Sequence, residues 1–566
     1  MGHRMLSAAK RLSRRQVTRF VRNEDGHIIA FTVVMLTLML TLAGIGVDII
    51  HFETVRTKQQ QTLDRATLAA ASLTQELEAE DVVRDYFAKA GLSDNLKMVQ
   101  YERTFNGSTV RAEAATLVNP VFMNLYDLTN GQGLSAAGAS QAEQRINNIE
   151  IMLVLDVSGS MAGSKLTNLK SAAREFIDTV LDQDFENRVS IGIVPYNGQV
   201  NLPQYMQDLF NAEDDHGVED VNCFDLPAST YNSLTLSRTT PMPVTAHADT
   251  YSSTTTGSYI APTHSNAVVD TGNRWCPPSK VNVIRAPTNN KTQLKSHISN
   301  LTAIGATSIN AGMKWGMALL DPSARGLYTG LVAAGHTPSY FSDRPFDYTA
   351  EDAMKIIVLM TDGEHFAEER VTADYRHGDS PIWRANSVNQ YSIFHSTKVD
   401  ASTSTKLCNS RPFYVPHLNA WHSRPWNGST PSSSACYSAT TTTYSGSTRQ
   451  TWQSMWSSSE NNLRMSWVAQ QLYVRAIGGT QAARMNLMRT QTPTGTMNTQ
   501  LQQVCTLAGA RNVMIYGIAF EAPSNGRAEI EKCASSPAHY FNASGLEIST
   551  AFRSIATNIS QLKLTQ

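Results

Sequence analysis

Uninterrupted apolar runs that lead into an aspartate recur along the chain. Residues 151–155 are all apolar and run into Asp156, and residues 356–360 are all apolar and stand just before Asp362. Runs of this kind, without polar alternation, are typical of strands buried on both faces of a parallel sheet. Strand and helix patterns alternate from residue 149 onward. The pattern therefore predicts an α/β domain with a doubly wound, mostly parallel sheet.

Two segments interrupt this alternation. Residues from about 200 to 290 and from about 365 to 495 are rich in Ser, Thr, Asn and Pro. We interpret them as two large insertions carried by one sheet domain over 148–566, because long loops of a compact domain run over its surface. Trp452 and Trp456 of the second insertion could bind a sugar or a protein, but packing of the insertion against itself is the more common outcome.

The longest apolar run covers residues 28–50 and carries no charge before Asp48. A helix of these 23 residues is about 34 Å long, which is enough to cross a bilayer. No small-residue cleavage site of the kind that ends a secretory signal follows the run. We therefore expect a single-pass transmembrane helix over 28–50, and the alternative is a buried core helix.

Charge sets the expected orientation of this helix. Seven Lys and Arg residues and no acidic residue lie within residues 1–22. The positive-inside rule places a basic flank of this kind in the cytoplasm. We expect a basic cytoplasmic segment over 1–27 and expect the chain beyond residue 51 to lie outside the cytoplasm.

Residues 51–90 are rich in Gln, Leu, Ala and Glu, which favour a helix. We predict that the membrane helix continues to about Gln75 and that 51–90 form a helical stalk. Alternating stretches such as "STVRAEAATLV" predict a small β-rich module over 91–147. An apolar stripe at helical spacing could pack on a partner helix or on the protein's own domain. Its members are Val55, Leu63, Ala66, Ala70 and Leu73.

Six cysteines lie in the part of the chain that we place outside the cytoplasm. An even number is compatible with three disulfides in an exported domain. The cysteines fall into three sequential clusters, so we expect neighbours to pair, and buried free thiols are the alternative. The expected pairs are Cys223–Cys276, Cys408–Cys436 and Cys505–Cys533.

Three polar motifs stand out along the predicted domain, two of them directly after strand patterns. Asp156, Ser158 and Ser160 form a D-x-S-x-S motif, Thr307 lies in "GATSIN" before a helix, and Asp362 lies in "TDGE". In this order the motifs resemble the metal-ion-dependent adhesion site of the von Willebrand factor A domain. The resemblance covers about 149–200, 291–364 and 497–564, and the two insertions separate its parts.

The resemblance implies that Ser158, Ser160 and Thr307 supply hydroxyl oxygens while Asp156 and Asp362 hold the ion, some of them through water. Hard oxygen donors of this kind suit Mg²⁺, and the sequence does not separate Mg²⁺ from Mn²⁺ or Ca²⁺. An open metal position would accept an acidic side chain from a protein partner. The alternative is that Asp156 and the serines only cap the next helix and fix the turn, which does not account for Thr307 and Asp362.

The N-terminal segment carries a second resemblance. The stretch "RNEDGHIIAFTVVMLTLMLTLAGIGVDIIHFETVRTKQQQTLDRATLAAA" resembles the TadE/TadG-type segment of tight-adherence (Flp) pilus assembly proteins. The whole layout is similar to TadG-like proteins of Gram-negative bacteria, which implies an inner-membrane protein with a periplasmic C-terminal domain. Prepilin-type processing after a glycine expects glutamate five residues on, but Phe31 stands there after Gly26, so we expect no such cleavage.

Several functions are disfavoured by the sequence. A formal net charge of -1 gives no general attraction to nucleic acid. The stretch "GSMAGSK" has the wrong spacing for a phosphate loop, with Leu166 after Lys165. His365 lacks the second histidine of a zinc-protease motif, and no G-x-S-x-G surrounds Ser158. We therefore predict that the protein is not an enzyme.

The sequence predicts a membrane-anchored, periplasm-facing pilus assembly or adhesion protein that binds a protein partner through Mg²⁺. Components of a tight-adherence pilus are the expected partners, and the membrane is contacted through one helix. A structural envelope protein whose metal site only stabilises loops is the main alternative. A metal-assisted hydrolase is the other.

Overall fold

A computed structural model describes most of the chain. It covers residues 27–72, 75, 77–103, 107–125, 132–145, 148–182, 184, 187–253, 257–350, 352–399, 406–407, 411–429, 437–438 and 444–562. The predicted basic segment lies almost wholly outside these residues. The chain divides at residues 146 and 147 into two compact units.

The first unit begins with the long helix α1, His27–Ala70. Its apolar N-terminal part is exposed, and α1 is the one helix of the described chain that is long and apolar enough to cross a membrane. The helix ends at Ala70 rather than near Gln75, and a second helix, α2, follows at Ala79–Lys89. The region predicted as a stalk therefore contains two helices.

An antiparallel three-stranded sheet completes the first unit, where the alternating pattern predicted β structure. Alternate residues of its central strand, among them Val110 and Ala112, are buried together with Leu63 and Ala66 of α1. Leu63, Ala66 and Ala70 of the predicted stripe thus pack on their own unit, whereas Leu73 lies outside the described residues. The strands are β1 Leu96–Arg103, β2 Gly107–Val118 and β3 Leu134–Arg145, and the short helix α3, Phe122–Leu125, lies between β2 and β3.

The second unit is built on a six-stranded sheet. Its strands are β4 Asn148–Asp156, β5 Val189–Tyr196, β6 Arg285–Thr288, β7 Ala353–Thr361, β8 Met514–Phe520 and β9 Tyr540–Ala543. The strand order is β9-β8-β7-β4-β5-β6. All neighbours are parallel except β6, which pairs antiparallel to β5. The mostly parallel sheet predicted from the apolar runs is confirmed.

Helices cover both faces of this sheet. Side chains of β4 point alternately to the two faces, and each set is buried in a separate core. Ile151 and Leu153 face one core, and Met152 and Val154 face the other. Helices α4 Ser164–Leu181, α5 Lys291–Ser299 and α10 Glu547–Leu562 cover the first face. Helices α6 Ile309–Leu320, α7 Arg325–Ala333, α8 Thr494–Gly509 and α9 Ser524–Cys533 contribute to the second core.

The two insertions share a hydrophobic core of their own. Ala246 and Ile260 of the first insertion are buried with Trp456 and Trp467 of the second. Trp452 and Trp456 are buried and stacked on each other, so these side chains serve packing. The second insertion forms a five-stranded sheet in the order Ala420–His422, Phe413–Val415, Tyr391–Phe394, Asp379–Ala385 and Ser447–Thr451.

The remaining elements of the insertions are short. The first insertion contains helix Gln204–Gln207 and strands Ala212–Glu213 and Met242–Pro243. The second contains strands Glu368–Val371, Lys406–Leu407, Tyr437–Ser438 and Arg489–Thr492. Its helices are Trp452–Trp456, Met465–Trp467, Val468–Val474, Arg475–Ile477 and Gln481–Met488.

Two of the three expected disulfides are confirmed. Cys223 pairs with Cys276 across the first insertion, and Cys505 of α8 pairs with Cys533 of α9. The expected Cys408–Cys436 pair lies outside the described residues. Buried free thiols are therefore wrong for the four described cysteines.

Candidate metal centre

The five predicted site residues lie together at one edge of the sheet. Asp156 is the last residue of β4, and Asp362 directly follows β7, which is the parallel neighbour of β4. Carboxyl ends of parallel strands meet at the same edge of a sheet, where ligands of open α/β folds bind. Ser158 and Ser160 follow Asp156 in the loop before α4, and Thr307 lies just before α6.

Hydroxyl groups link the first loop to Asp362. Ser160 Oγ donates to Asp362 Oδ1 at 2.7 Å. Ser158 Oγ lies 3.0 Å from Ser160 Oγ. The two serines and the carboxylate thus form a continuous row of oxygens.

Main-chain bonds bring the Thr307 loop to this row. The Gly159 N–H donates to the Gly305 carbonyl at 2.9 Å, and the Ile304 N–H donates to the Val157 carbonyl at 2.9 Å. A β-carbon placed on Gly363 would lie 3.4 Å from Thr307 Oγ1 and 3.9 Å from Ser160 Oγ. Thr307 therefore flanks the same small space as Ser160.

Asp156 is a fully buried carboxylate held by two neutral donors. Its Oδ1 accepts from the Ser158 N–H at 2.8 Å, and its Oδ2 accepts from Thr361 Oγ1 at 2.7 Å. No Lys, Arg or His of the described chain forms an ion pair with it. Burial and the nearby Asp362 carboxylate raise the pKa of Asp156 to about 7. The negative charge of Asp156 is thus poorly compensated.

Asp362 has a cationic neighbour. Lys165 Nζ donates to Asp362 Oδ2 at 2.8 Å, and the same ammonium lies 3.9 Å from Glu521 Oε2. The described chain contains no cluster of three or more His, Cys, Asp or Glu residues that could hold a metal ion. A cation at this edge would therefore depend on hydroxyl oxygens as well as on the two carboxylates.

Comparison with known families bears on the N-terminal segment. The model of a putative Flp pilus-assembly TadE/G-like family matches residues 26–73. This segment is TadE/G-like. The resemblance predicted from the arginine-flanked span and the helix after it is confirmed. A search of curated protein sequences finds no match.

Solved structures that this chain matches include a vWF domain of a pilus tip protein and a pilus adhesin. The vWF domain of the type V pili tip protein Mfa5 from Porphyromonas gingivalis is 12% identical with a TM-score of 0.29, and the match covers 74% of this chain and 98% of that chain. The pilus adhesin SpaC from Lactobacillus rhamnosus GG is 9% identical with a TM-score of 0.26, over 81% of this chain and 33% of SpaC.

A third similar structure is proximal thread matrix protein 1 from the mussel byssus, described with a zinc-occupied MIDAS motif. It is 10% identical with a TM-score of 0.25, over 74% of this chain and 48% of that chain. Because all three TM-scores are low, we base the functional proposal on the geometry of this chain.

An aromatic pocket adjoins the candidate metal centre. Tyr251 and Trp275 of the first insertion and Phe366 of the second line a cavity of about 210 Å³ together with Gly305 and Ala306. The rings of Tyr251 and Phe366 contact edge to face, with centroids 5.0 Å apart. The pocket is joined to the centre because the Phe366 N–H donates to the Thr307 carbonyl at 2.9 Å. Aromatic side chains of both insertions thus lie beside the oxygen ligands of the candidate metal centre, here also called the oxygen cluster.

Sequence reasoning missed three contributors to this region. Thr361 directly precedes Asp362 and binds Asp156, and its place before "DG" was a usable signal. Lys165 follows the first motif by five residues, and its one local signal was the phosphate-loop pattern that the spacing does not fit. The pocket side chains come from segments without a motif, so no local signal pointed to them.

A buried histidine beside Thr307 makes stability depend on pH. His365 Nε2 accepts from the Asn310 N–H at 3.0 Å, and Nδ1 lies 2.6 Å from Asn498 Oδ1. Burial lowers the pKa of His365 from 6.5 to about 4. Between these values the unfolded chain binds a proton that the folded chain does not, so stability falls as the pH drops. The loss amounts to roughly 1.4 kcal/mol per pH unit and roughly 3 kcal/mol over the whole window.

Urea unfolding at several pH values between 7 and 4 measures this effect. We expect the His365→Gln variant to lose less stability on acidification than the wild type, because its side chain does not titrate. The matched control is His264→Gln, which replaces an exposed histidine and should leave the pH profile of the wild type unchanged. Parallel profiles for the wild type and His365→Gln would contradict the prediction.

Proposed function

We propose that this protein is a membrane-anchored pilus assembly or adhesion protein that binds a protein partner through a divalent cation. The single observation that carries the proposal is the buried Asp156 carboxylate, which faces a row of oxygens without a cationic partner among the described residues. The proposed ligands, some acting through water, are Asp156, Ser158, Ser160, Thr307 and Asp362.

The chemistry of these donors supports Mg²⁺. Carboxylate, hydroxyl and water oxygens are the ligands that this hard cation prefers, and no soft sulfur or imidazole ligand lies among the five residues. When Asp156 is ionised, two carboxylates and the Lys165 ammonium leave the cluster with one net negative charge. A divalent cation offsets the unpaired charge of Asp156, which is costly in a buried position. Mn²⁺ and Ca²⁺ are the alternative ions.

The cluster has one side open to a partner. Asp156 and Ser158 are buried, whereas Ser160 is exposed. With few direct carboxylate ligands a bound cation keeps a positive charge toward solvent. An acidic side chain of a protein partner is the group that complements this charge.

The TadE/G-like segment supports a place in pilus assembly. Its exposed apolar helix has the length and composition of a single-pass anchor. The basic N-terminal flank favours an orientation with the N-terminus in the cytoplasm and the sheet unit in the periplasm of a Gram-negative cell. The Cys223–Cys276 and Cys505–Cys533 disulfides fit that oxidising compartment. Components of a tight-adherence pilus are the proposed partners.

Binding to isolated pili tests the proposed function. The full-length protein, purified in detergent, is incubated with purified Flp pili in Mg²⁺ or in EDTA, and the bound fraction is measured after sedimentation. Binding in Mg²⁺ that EDTA abolishes is the expected result. Mg²⁺ binding without any pilus binding would instead favour a structural envelope protein whose metal stabilises loops.

The aromatic pocket should contribute to partner binding. We expect Tyr251→Ala to weaken binding to purified pili about tenfold, because truncation of an exposed aromatic at the centre of an interface costs about 1 to 2 kcal/mol. Mg²⁺ affinity measured by calorimetry should be unchanged, since the Tyr251 ring lies outside the oxygen cluster.

A matched control for this variant is Tyr340→Ala. Tyr340 is also exposed, but it bonds to Asn289 just after β6 and so lies at the opposite edge of the sheet. Equal losses of pilus binding in the two variants would contradict a role of the pocket.

A further inference from the structure

The short helix α3 is tied to the long helix α1 by one carboxylate. Asp48 Oδ1 accepts from the Val121 N–H at 3.0 Å, and Oδ2 accepts from the N–H groups of Phe122 at 2.8 Å and Met123 at 2.7 Å. Asp48 is buried by these contacts. Helix α3 is therefore held against α1 at the level of residues 46–48, "GVD".

The packing of Phe122 extends this contact from Asp48 toward the N-terminus of α1. A β-carbon placed on Gly44 would lie 2.6 Å from the Phe122 ring, so the ring rests directly on the helix backbone at that residue. Any larger residue at this position would push the ring away. The glycine thus allows α3 to approach α1 inside the predicted membrane span.

The position of Gly44 sets the depth of α3. It lies six residues before the end of the apolar run at Ile50, which corresponds to about 9 Å along the helix axis. Amphipathic segments at a membrane surface bury their apolar face by about 5 to 10 Å. If α1 spans a bilayer, α3 must lie at the depth of the headgroups and the first part of the acyl chains.

The side chains around α3 suit that environment. Leu117 is 68% exposed, Val121 is 71% exposed and Leu125 is 73% exposed. The Asp48 carboxylate accepts three N–H bonds from this segment. A carboxylate satisfied in this way is tolerated where water is scarce.

We infer that residues 117–125, here called the apolar shoulder, insert into the leaflet that adjoins the β1–β3 sheet. Phospholipid is the occupant, because the shoulder is continuous with the lipid-facing surface of α1 through Phe122 and Gly44. The shoulder would fix the height and tilt of the first unit relative to the bilayer. The inference rests on the membrane anchor of the proposed function.

Depth-dependent fluorescence quenching tests the inference. The full-length protein carries one added cysteine, Val121→Cys or Leu125→Cys, labelled with an environment-sensitive dye under non-reducing conditions. It is reconstituted into phosphatidylcholine–phosphatidylglycerol vesicles with nitroxide-labelled acyl chains. We expect lipid quenching several-fold stronger than at Tyr101→Cys, an exposed site opposite Val110 on the same sheet. Val110 lies about 23 Å along β2 from Leu117.

A label at a fourth site distinguishes a failure of the apolar shoulder from a failure of the membrane anchor. Val34→Cys places the dye on the exposed apolar part of α1. Strong quenching at residue 34 but only the Tyr101 level at residues 121 and 125 would overturn the shoulder and leave the anchor intact. Absence of quenching at residue 34 would overturn both. Strong quenching at residues 34, 121 and 125 together supports the inference.

Discussion

Replacing both carboxylates of the candidate metal centre is expected to abolish Mg²⁺ binding. In the Asp156→Ala, Asp362→Ala variant, calorimetry on the purified full-length protein should show at least ~100-fold weaker affinity, which corresponds to about 2.7 kcal/mol. The reason is that the three remaining hydroxyl donors carry no charge to attract a divalent cation. Pilus binding in Mg²⁺ should fall to the level measured in EDTA.

Glu175→Ala is the matched control for this variant. It also removes negative charge from the sheet unit, but Glu175 is a partly exposed α4 residue paired with Arg553 of α10. Its Mg²⁺ affinity should equal that of the wild type. Unchanged Mg²⁺ binding in the double variant would show that the cation binds elsewhere. Absence of binding in the folded wild type would overturn the metal-dependent function.

Among the substitutions considered for stability, Glu150→Ala is expected to lower the free energy of unfolding most. Glu150 Oε2 bonds to Lys355 Nζ, and Oε1 lies 3.8 Å from Arg344 Nη1, with all three side chains buried. Burial lowers the pKa of Lys355, and Glu150 is the neighbour that favours its charged form most. Without Glu150 two buried cations lose their counter-ion, which costs about 3 to 5 kcal/mol. Urea unfolding at pH 7 measures this loss.

The Glu175→Ala variant is also the matched control for this stability prediction. Its exposed pair with Arg553 is worth less than about 1 kcal/mol, so its urea midpoint should stay close to that of the wild type. Similar midpoints for Glu150→Ala and Glu175→Ala would contradict the structural role of the buried cluster. Glu150 lies near the amino end of β4, so this test leaves the metal centre at the carboxyl end untouched.

Local patterns in the sequence were sufficient to predict the sheet unit. The apolar runs before Asp156 and Asp362 form adjacent parallel strands, as their pattern predicted. Apolar periodicity determines these elements because each must bury its own side chains in the two cores. The Asp156 and Asp362 motifs then had to meet, since strand ends of a parallel sheet share one edge. Thr307 stands before α6 rather than after a strand, and main-chain hydrogen bonds between its loop and the Asp156 loop bring it to the same edge.

Tertiary structure alone decided the surroundings of this centre. Lys165 pairs with Asp362 across 197 positions, and Tyr251 meets Phe366 from the other insertion. Neither contact has a local signature, because each joins segments that are far apart in the chain and meet only in the folded structure. The same holds for Asp48, whose N–H partners lie more than 70 positions away.

The sequence by itself therefore determined the long apolar helix, the order along the chain of the strands and helices that carry the motifs, and the residues of the candidate centre. Only the tertiary structure decided where α1 ends, how the two insertions pack on each other and which side chains surround the candidate metal centre. The physical reason is that periodicity reports the environment of each segment, whereas contacts between distant segments depend on how those segments pack.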